Sequence, residues 1–160
     1  RIARFHNIYG PNGTWNGGKE KVPAAMCRQA IETPDNGILE VWGDGNQTRS
    51  FLFIEDCLDA ISKFMKNEHF IGPVNIGSEE MVTINELASL AIKFSKKNTT
   101  INNIKGEEFY TKYGFKCPIG VNGRNSDNTL FKEKMNWSPK ISLSQGLRKT
   151  YDWIYHQQNN

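Results

Sequence analysis

Residues 1–21, RIARFHNIYGPNGTWNGGKEK, restrict the fold more than any other stretch of the chain. Arg1, Ala3 and Phe5 alternate with Ile2 and Arg4, a period of two that predicts a strand. Gly10, Pro11, Asn12 and Gly13 then break regular structure. A helix is predicted over residues 22–31, with Pro23 in its first turn, where a missing N–H costs nothing. Strand, loop and helix in this order are the unit of an α/β fold, and ligands of such sheets sit beyond the carboxyl ends of the strands. Asn7, Glu20 and Lys21 fall at that end. Lys21 and the helix N-terminus together direct positive charge to one spot, as an anionic or oxyanion-forming substrate requires. Read alone, Lys21 is a solvated lysine; its placement against the helix dipole is what singles it out. The chain opens inside this alternation without a polar lead-in, which predicts the C-terminal piece of a larger protein.

The alternation of elements continues downstream. Residues 38–42 (ILEVW) and 50–54 (SFLFI) read as strands joined by GDGNQTR. Glu55 and Asp56 open a helix expected to be lined by Leu58, Ile61, Phe64 and Met65. Residues 73–76 read as a short strand, and Thr83-Ile84-Asn85-Glu86 is a capping box that starts a helix bearing Leu87, Leu90, Ala91 and Phe94. Residues 101–104 are a strand, residues 105–123 a long loop, and residues 127–135 a helix. A last helix from Ser142 presents Leu143, Leu147, Thr150, Tyr151 and Ile154, and is expected to fray from Gln157. The class is α/β.

Composition narrows the functions. A hydrophobic fraction of 38% with 23% charged residues describes a soluble globular chain, and no apolar run reaches bilayer length. The formal charge of +3 gives weak attraction to anions such as nucleotides, and no footprint for a nucleic-acid duplex. Cys27, Cys57 and Cys117 are odd in number and widely spaced, which argues against a disulfide framework and for a reducing, cytoplasmic setting. No metal-ligand spacing is present. Gly43-Asp44-Gly45 joins two strands rather than a strand and a helix, so the chain alone does not hold a dinucleotide in the usual way.

Several side chains carry two readings. Asn7 can cap the turn before Gly10, or exchange hydrogen bonds with a sugar hydroxyl. Glu20 is a surface carboxylate, or it holds the Lys21 ammonium or a hydroxyl. Arg49, where a strand begins, and Arg124, just before a helix, are the phosphate candidates, because guanidinium offers a planar fork for two oxygens. Arg28 and Arg148 lie mid-helix and read as surface ion pairs.

The blocks RFHNIYGPNGTW, GGKEKVPAAMCR, WGDGNQTRSFLFIEDC, PVNIGSEEMVTINE and GRNSDN resemble the C-terminal half of the GDP-mannose 3,5-epimerase family, within the extended short-chain dehydrogenase/reductase superfamily. The resemblance runs over nearly the whole chain. It implies the last Rossmann strands plus the small substrate-binding domain, with residues 1–160 as one substrate-binding portion and the NAD-binding Rossmann part absent from this chain. It also implies NAD as cofactor, a GDP-mannose-type nucleotide sugar as substrate, and a homodimer. In the implied reaction, oxidation at C4 acidifies the protons on C3 and C5, which are exchanged before the ketone is reduced again. Lys21 matches the family's acid–base lysine, and its partner cysteine lies upstream of Arg1. Asn7, Glu20 and Val22 match sugar and phosphate contacts, Gln47, Thr48 and Arg49 match nucleotide contacts, and Arg124 matches the diphosphate-gripping arginine. With that block matched, the functional reading of Lys21 is preferred. The chain departs from the family in reading Cys27-Arg28-Gln29 where a lysine is expected third, and in a longer segment before Asn122. Neither the Tyr-x-x-x-Lys pair nor the glycine fingerprint is present, so the fragment alone is expected to be inactive. The alternatives are another NAD-dependent sugar-nucleotide epimerase or dehydratase, and a non-catalytic nucleotide-sugar binding fragment.

Overall fold

The structure, a computed structural model, describes residues 1–118 and 120–159. Among the described residues the elements are, in order, β1 (Ala3–Phe5), β2 (Ile8–Tyr9), α1 (Val22–Glu32), β3 (Ile38–Trp42), β4 (Thr48–Ser50), β5 (Leu52–Phe53), α2 (Ile54–Lys66), β6 (Val74–Ile76), β7 (Met81–Thr83), α3 (Ile84–Ser95), β8 (Thr100–Ile104), α4 (Gly106–Tyr113), β9 (Gly123–Arg124), α5 (Thr129–Met135) and α6 (Leu143–Asn159). Parallel pairs β1–β6, β2–β5 and β3–β8 carry most of the strand structure, and β4 lies between antiparallel β7 and parallel β9. The fold is mixed α/β, as the alternation of periods requires.

Two apolar cores organise these elements. In the first, α1, α3 and α6 pack on one another and on β3 through Cys27, Ala30, Leu39, Leu87, Ala91, Leu147 and Ile154. In the second, α2 and α5 cover β6 through Cys57, Ala60, Phe64, Val74, Ile76, Phe131 and Trp137. Gly146 joins α6 to the strands: a Cβ there would come within 2.4 Å of the Tyr9 hydroxyl and 2.6 Å of the Phe53 ring. Helix ends follow local chemistry. The Thr83–Glu86 capping box is formed reciprocally at α3. The C-terminus of α1 has no basic residue of its own. Lys97 supplies one from the α3–β8 turn, donating to the carbonyls of Ala30, Ile31 and Thr33 at 3.4, 2.5 and 2.6 Å.

Four sequence expectations are corrected. Residues 106–113 form helix α4 instead of loop, because Phe109 is fully buried against Trp42, a contact no local pattern encodes. The expected strand over residues 50–54 is split, with Ser50 ending β4, Leu52–Phe53 forming β5, and Ile54 already opening α2. Leu58 and Met65 face solvent, since α2 buries Asp56, Cys57, Ala60 and Phe64 instead. Helix α6 continues through Gln157 to Asn159, where Gln158 bonds Glu32 of α1. Ile119 and Asn160 lie outside the described residues.

Candidate functional site

A cavity of about 1100 Å³ opens where the loop after β2, one face of α1, β3 and β4 meet. The local sequence explains that meeting. Asn7 takes a left-handed conformation (φ 47°), which ends the β1 run and turns the chain into β2. The following glycine-rich loop carries the chain to Lys21, the residue that caps α1 with extended backbone and no side-chain cap bond. Asn7, Glu20, Lys21, Val22, Gln47 and Arg49 all line the cavity. Thr48 and Arg124 do not. Arg124 is nonetheless next to Arg49: the two are Cα partners on parallel strands β9 and β4, so their side chains leave the same face.

The cations differ in company. Among the described residues, Lys21, Arg49 and Arg124 make no ion pair with a carboxylate. Among the described residues Arg49 donates only to the neighbouring Thr48 carbonyl, at 2.7 Å, and a Cβ at Gly120 would stand 3.1 Å from its Nη2. The bare glycine thus leaves room for that guanidinium. His6 sits behind the two arginines. Burial lowers the imidazole pKa, and the charges of Arg124 and Arg49 lower it further, against the opposing pull of the Arg124 carbonyl. Asn7 Nδ2 donates to the Ser50 carbonyl at 2.9 Å and lies 3.2 Å from His6 Nε2, so its amide is held firmly, with Oδ1 left for another partner.

Glu20 is not beside the Lys21 ammonium. Its Oε1 accepts from Arg28 Nη2 at 3.0 Å, while Arg28 Nη1 donates to Glu32 at 2.7 Å. Arg28 does form ion pairs, as its mid-helix position suggested, but it lines the cavity instead of lying on the outer surface. Burial works against ionisation of Glu20, but its own backbone N–H, the Arg28 guanidinium and the Gly18 N–H outweigh it and hold the carboxyl below the usual carboxylate range. Gln29, in the family lysine's place, also lines the cavity.

The far wall was not readable in advance. Glu40 and Trp42 of β3 meet Lys112 and Tyr113 of α4, and Gln158 of α6 closes one side. Glu40 accepts from Lys112 at 2.5 Å and from the Tyr113 hydroxyl. Burial again opposes ionisation of Glu40, and these two donors overcome it. Trp42, Phe109, Tyr113 and Phe115 form one aromatic cluster, with ring centroids 4.6–6.1 Å apart. The density of aromatic residues over 109–115 was the available signal. Chemically, the cavity offers unneutralised cations for an anion, a buried carboxylate and an amide for hydroxyls, and flat rings for a planar group.

A dinucleotide fits these residues poorly. The sequence has no G-x-G-x-x-G turn between a strand and a helix, and Gly43 and Gly45 link β3 to β4. Parallel strands with helices and a cavity lined by α1, β3 and β4 define a portion of an extended short-chain dehydrogenase/reductase of the epimerase/dehydratase type. The chain is 27% identical to UDP-glucuronic acid 4-epimerase from Bacillus cereus, solved with UDP-glucuronic acid and NAD; the TM-score is 0.78 over 98% of this chain and 45% of that one. A family model described as GDP-mannose 4,6 dehydratase matches residues 1–150, and the chain belongs to that family. It is 51% identical to GDP-mannose 3,5-epimerase of Arabidopsis thaliana and 50% identical to GDP-mannose 3,5-epimerase 1 of Oryza sativa subsp. indica, each over 157 residues, 98% of this chain. It spans 38% of the length of either relative. Among the described residues no helix is long and apolar enough to cross a membrane.

Proposed function

We propose that the intact protein is an isomerase that epimerises GDP-mannose at C3 and C5, giving GDP-L-galactose, and that this chain supplies its sugar-nucleotide site. The observation that carries the reading is the set of cations that pair with no carboxylate among the described residues. Lys21 and Arg49 share one cavity, and Arg124 stands in register beside Arg49. Like charges held together and left unneutralised disfavour one another, and a diphosphate relieves that repulsion through two guanidinium forks. Arg49 and Arg124 take the diphosphate, with Gln47 and Thr48 on the nucleotide. Trp42 and Tyr113 offer their ring faces to the base. Asn7 and Glu20 hold sugar hydroxyls, and Val22 packs beside the sugar.

Oxidation and re-reduction at C4 are hydride chemistry that NAD supplies when bound to the whole enzyme. The residues in hand bind, orient and move protons. A ketone at C4 acidifies C3–H and C5–H, and Lys21 is the group that takes or returns a proton there. Residues 1–160 act as one substrate-binding portion of a cytoplasmic homodimer, as the family resemblance suggests. A second reading follows from the family's own description: a nucleotide-sugar 4,6-dehydratase, or a 4-epimerase like the Bacillus cereus protein. A non-catalytic fragment is the third, since the chain spans only 38% of its relatives. Incubating the intact protein with GDP-mannose in D₂O separates them. Deuterium entering at C3 and C5 supports the proposal, whereas inversion at C4, a 6-deoxy-4-keto product or no exchange would each overturn it.

A further inference from the structure

The Glu20–Arg28 contact is incomplete in a way that calls for a ligand. The Glu20 side chain is 8% exposed and Arg28's is 23% exposed, and they meet through one bond only, Nη2 to Oε1 at 3.0 Å. Glu20 Oε2 and Arg28 Nε are both shut off from water, and neither has a hydrogen-bond partner among the described residues. A buried polar atom left without a partner is costly, and more so when the group is charged. A full two-bond Arg–carboxylate fork would have used both sides of each group.

Arg28 is also prevented from swinging to solve this by itself. Its other terminal nitrogen is taken by Glu32, whose second oxygen accepts from Gln158 Nε2 of α6 at 3.0 Å. The guanidinium is thus tied to α1 and α6 on one side and to Glu20 on the other. Both residues line the cavity. One edge of the pair offers an acceptor, Oε2, and the other a donor, Nε. A hydroxyl donates and accepts at once, so it matches both.

On the reading of the cavity as a sugar-nucleotide site, we infer that Arg28 is a positioning residue: clamped by Glu32, it fixes the Glu20 carboxylate so that Oε2 takes a hydroxyl of the bound hexose. Gln29 beside it carries no charge, which leaves Arg28 as the cation of this segment.

The test compares GDP-mannose with GDP, which lacks the hexose, by titration calorimetry on the intact protein and its Arg28→Met and Arg28→Lys variants. Arg28→Met lowers GDP-mannose affinity about tenfold or more and leaves GDP affinity unchanged. Arg28→Lys, which keeps the charge but cannot span Glu20 and Glu32 together, falls between. Equal loss for both ligands, or no loss for GDP-mannose, would overturn the inference. If the unaltered protein binds neither ligand, the sugar-nucleotide reading has failed, and a ligand-free measurement still judges the clamp. Carboxyl titration of Glu20 by NMR moves upward in Arg28→Met if Arg28 holds it; an unmoved titration rejects the clamp.

Discussion

The two walls of the cavity use charge in opposite ways. On the α4 side and along the body of α1 the cations have company: Lys112 meets Glu40, and Arg28 bridges Glu20 and Glu32. On the β4–β9 side Arg49 and Arg124 stand together with no carboxylate, and Lys21 at the head of α1 is equally without one among the described residues. Paired charges are explained by the fold. Unpaired like charges are unfavourable in the free protein, so on the proposed reading their presence is explained by what binds. Residues of the first wall should therefore report mainly on stability, apart from the half-satisfied Glu20–Arg28 pair, and those of the second mainly on ligand.

The strongest test of that division is Lys21→Ala. Exchange at C3 and C5 of GDP-mannose, followed by NMR in D₂O, should fall by about 10²–10⁴-fold, the range for removing an acid–base group. The melting temperature should hardly change. Unaltered exchange would move Lys21 out of the chemistry.

The opposite wall should break through its packing. Phe109 is fully buried beneath Trp42, Tyr113 and Phe115, and Phe109→Ala should cost about 3–5 kcal/mol in denaturant unfolding. A loss below ~0.5 kcal/mol, the scale of an ordinary surface change, would mean that α4 is not seated by that ring.

How much of this was legible depends on where each element's reasons lie. Helix α1 is announced by Pro23 and by the glycine-rich loop before it, and α3 by a four-residue capping box, so both stand where expected. Helix α4 begins without a side-chain cap, and its one fully buried residue is held by Trp42, far away in sequence. Only the tertiary contact makes it a helix. The same holds within the cavity. Lys21 and Arg49 could be singled out by type and position, whereas Glu40, Lys112, Tyr113 and Gln158 arrive from three separate elements. For Arg28 the ion pair was legible, but its bond to Glu20 and its place in the cavity were not, because Glu20 precedes the helix, outside the i,i+4 pattern that fits Glu32.

Smaller effects sharpen the picture. Lys97 is a cation satisfied by carbonyls rather than by a carboxylate, and Lys97→Met should cost about 2 kcal/mol by the same denaturant assay with no change in ligand affinity. Acid should weaken the paired wall first. Glu20 and Glu40 both titrate below their ordinary value of 4.5, so the stability they lend is complete above that pH and is lost as pH falls through their lowered values. Melting temperatures measured from pH 6 to pH 3 should show this decline, and it should shrink in Glu40→Gln.

The most direct test combines both walls' logic in one sample: Arg49→Met/Arg124→Met in the intact protein, with GDP-mannose affinity and melting temperature measured together. Affinity should drop by at least about tenfold for the lost charge-assisted bonds, while the melting temperature holds or rises as the repulsion disappears. Undiminished affinity, or a melting temperature that falls along with it, would contradict the account.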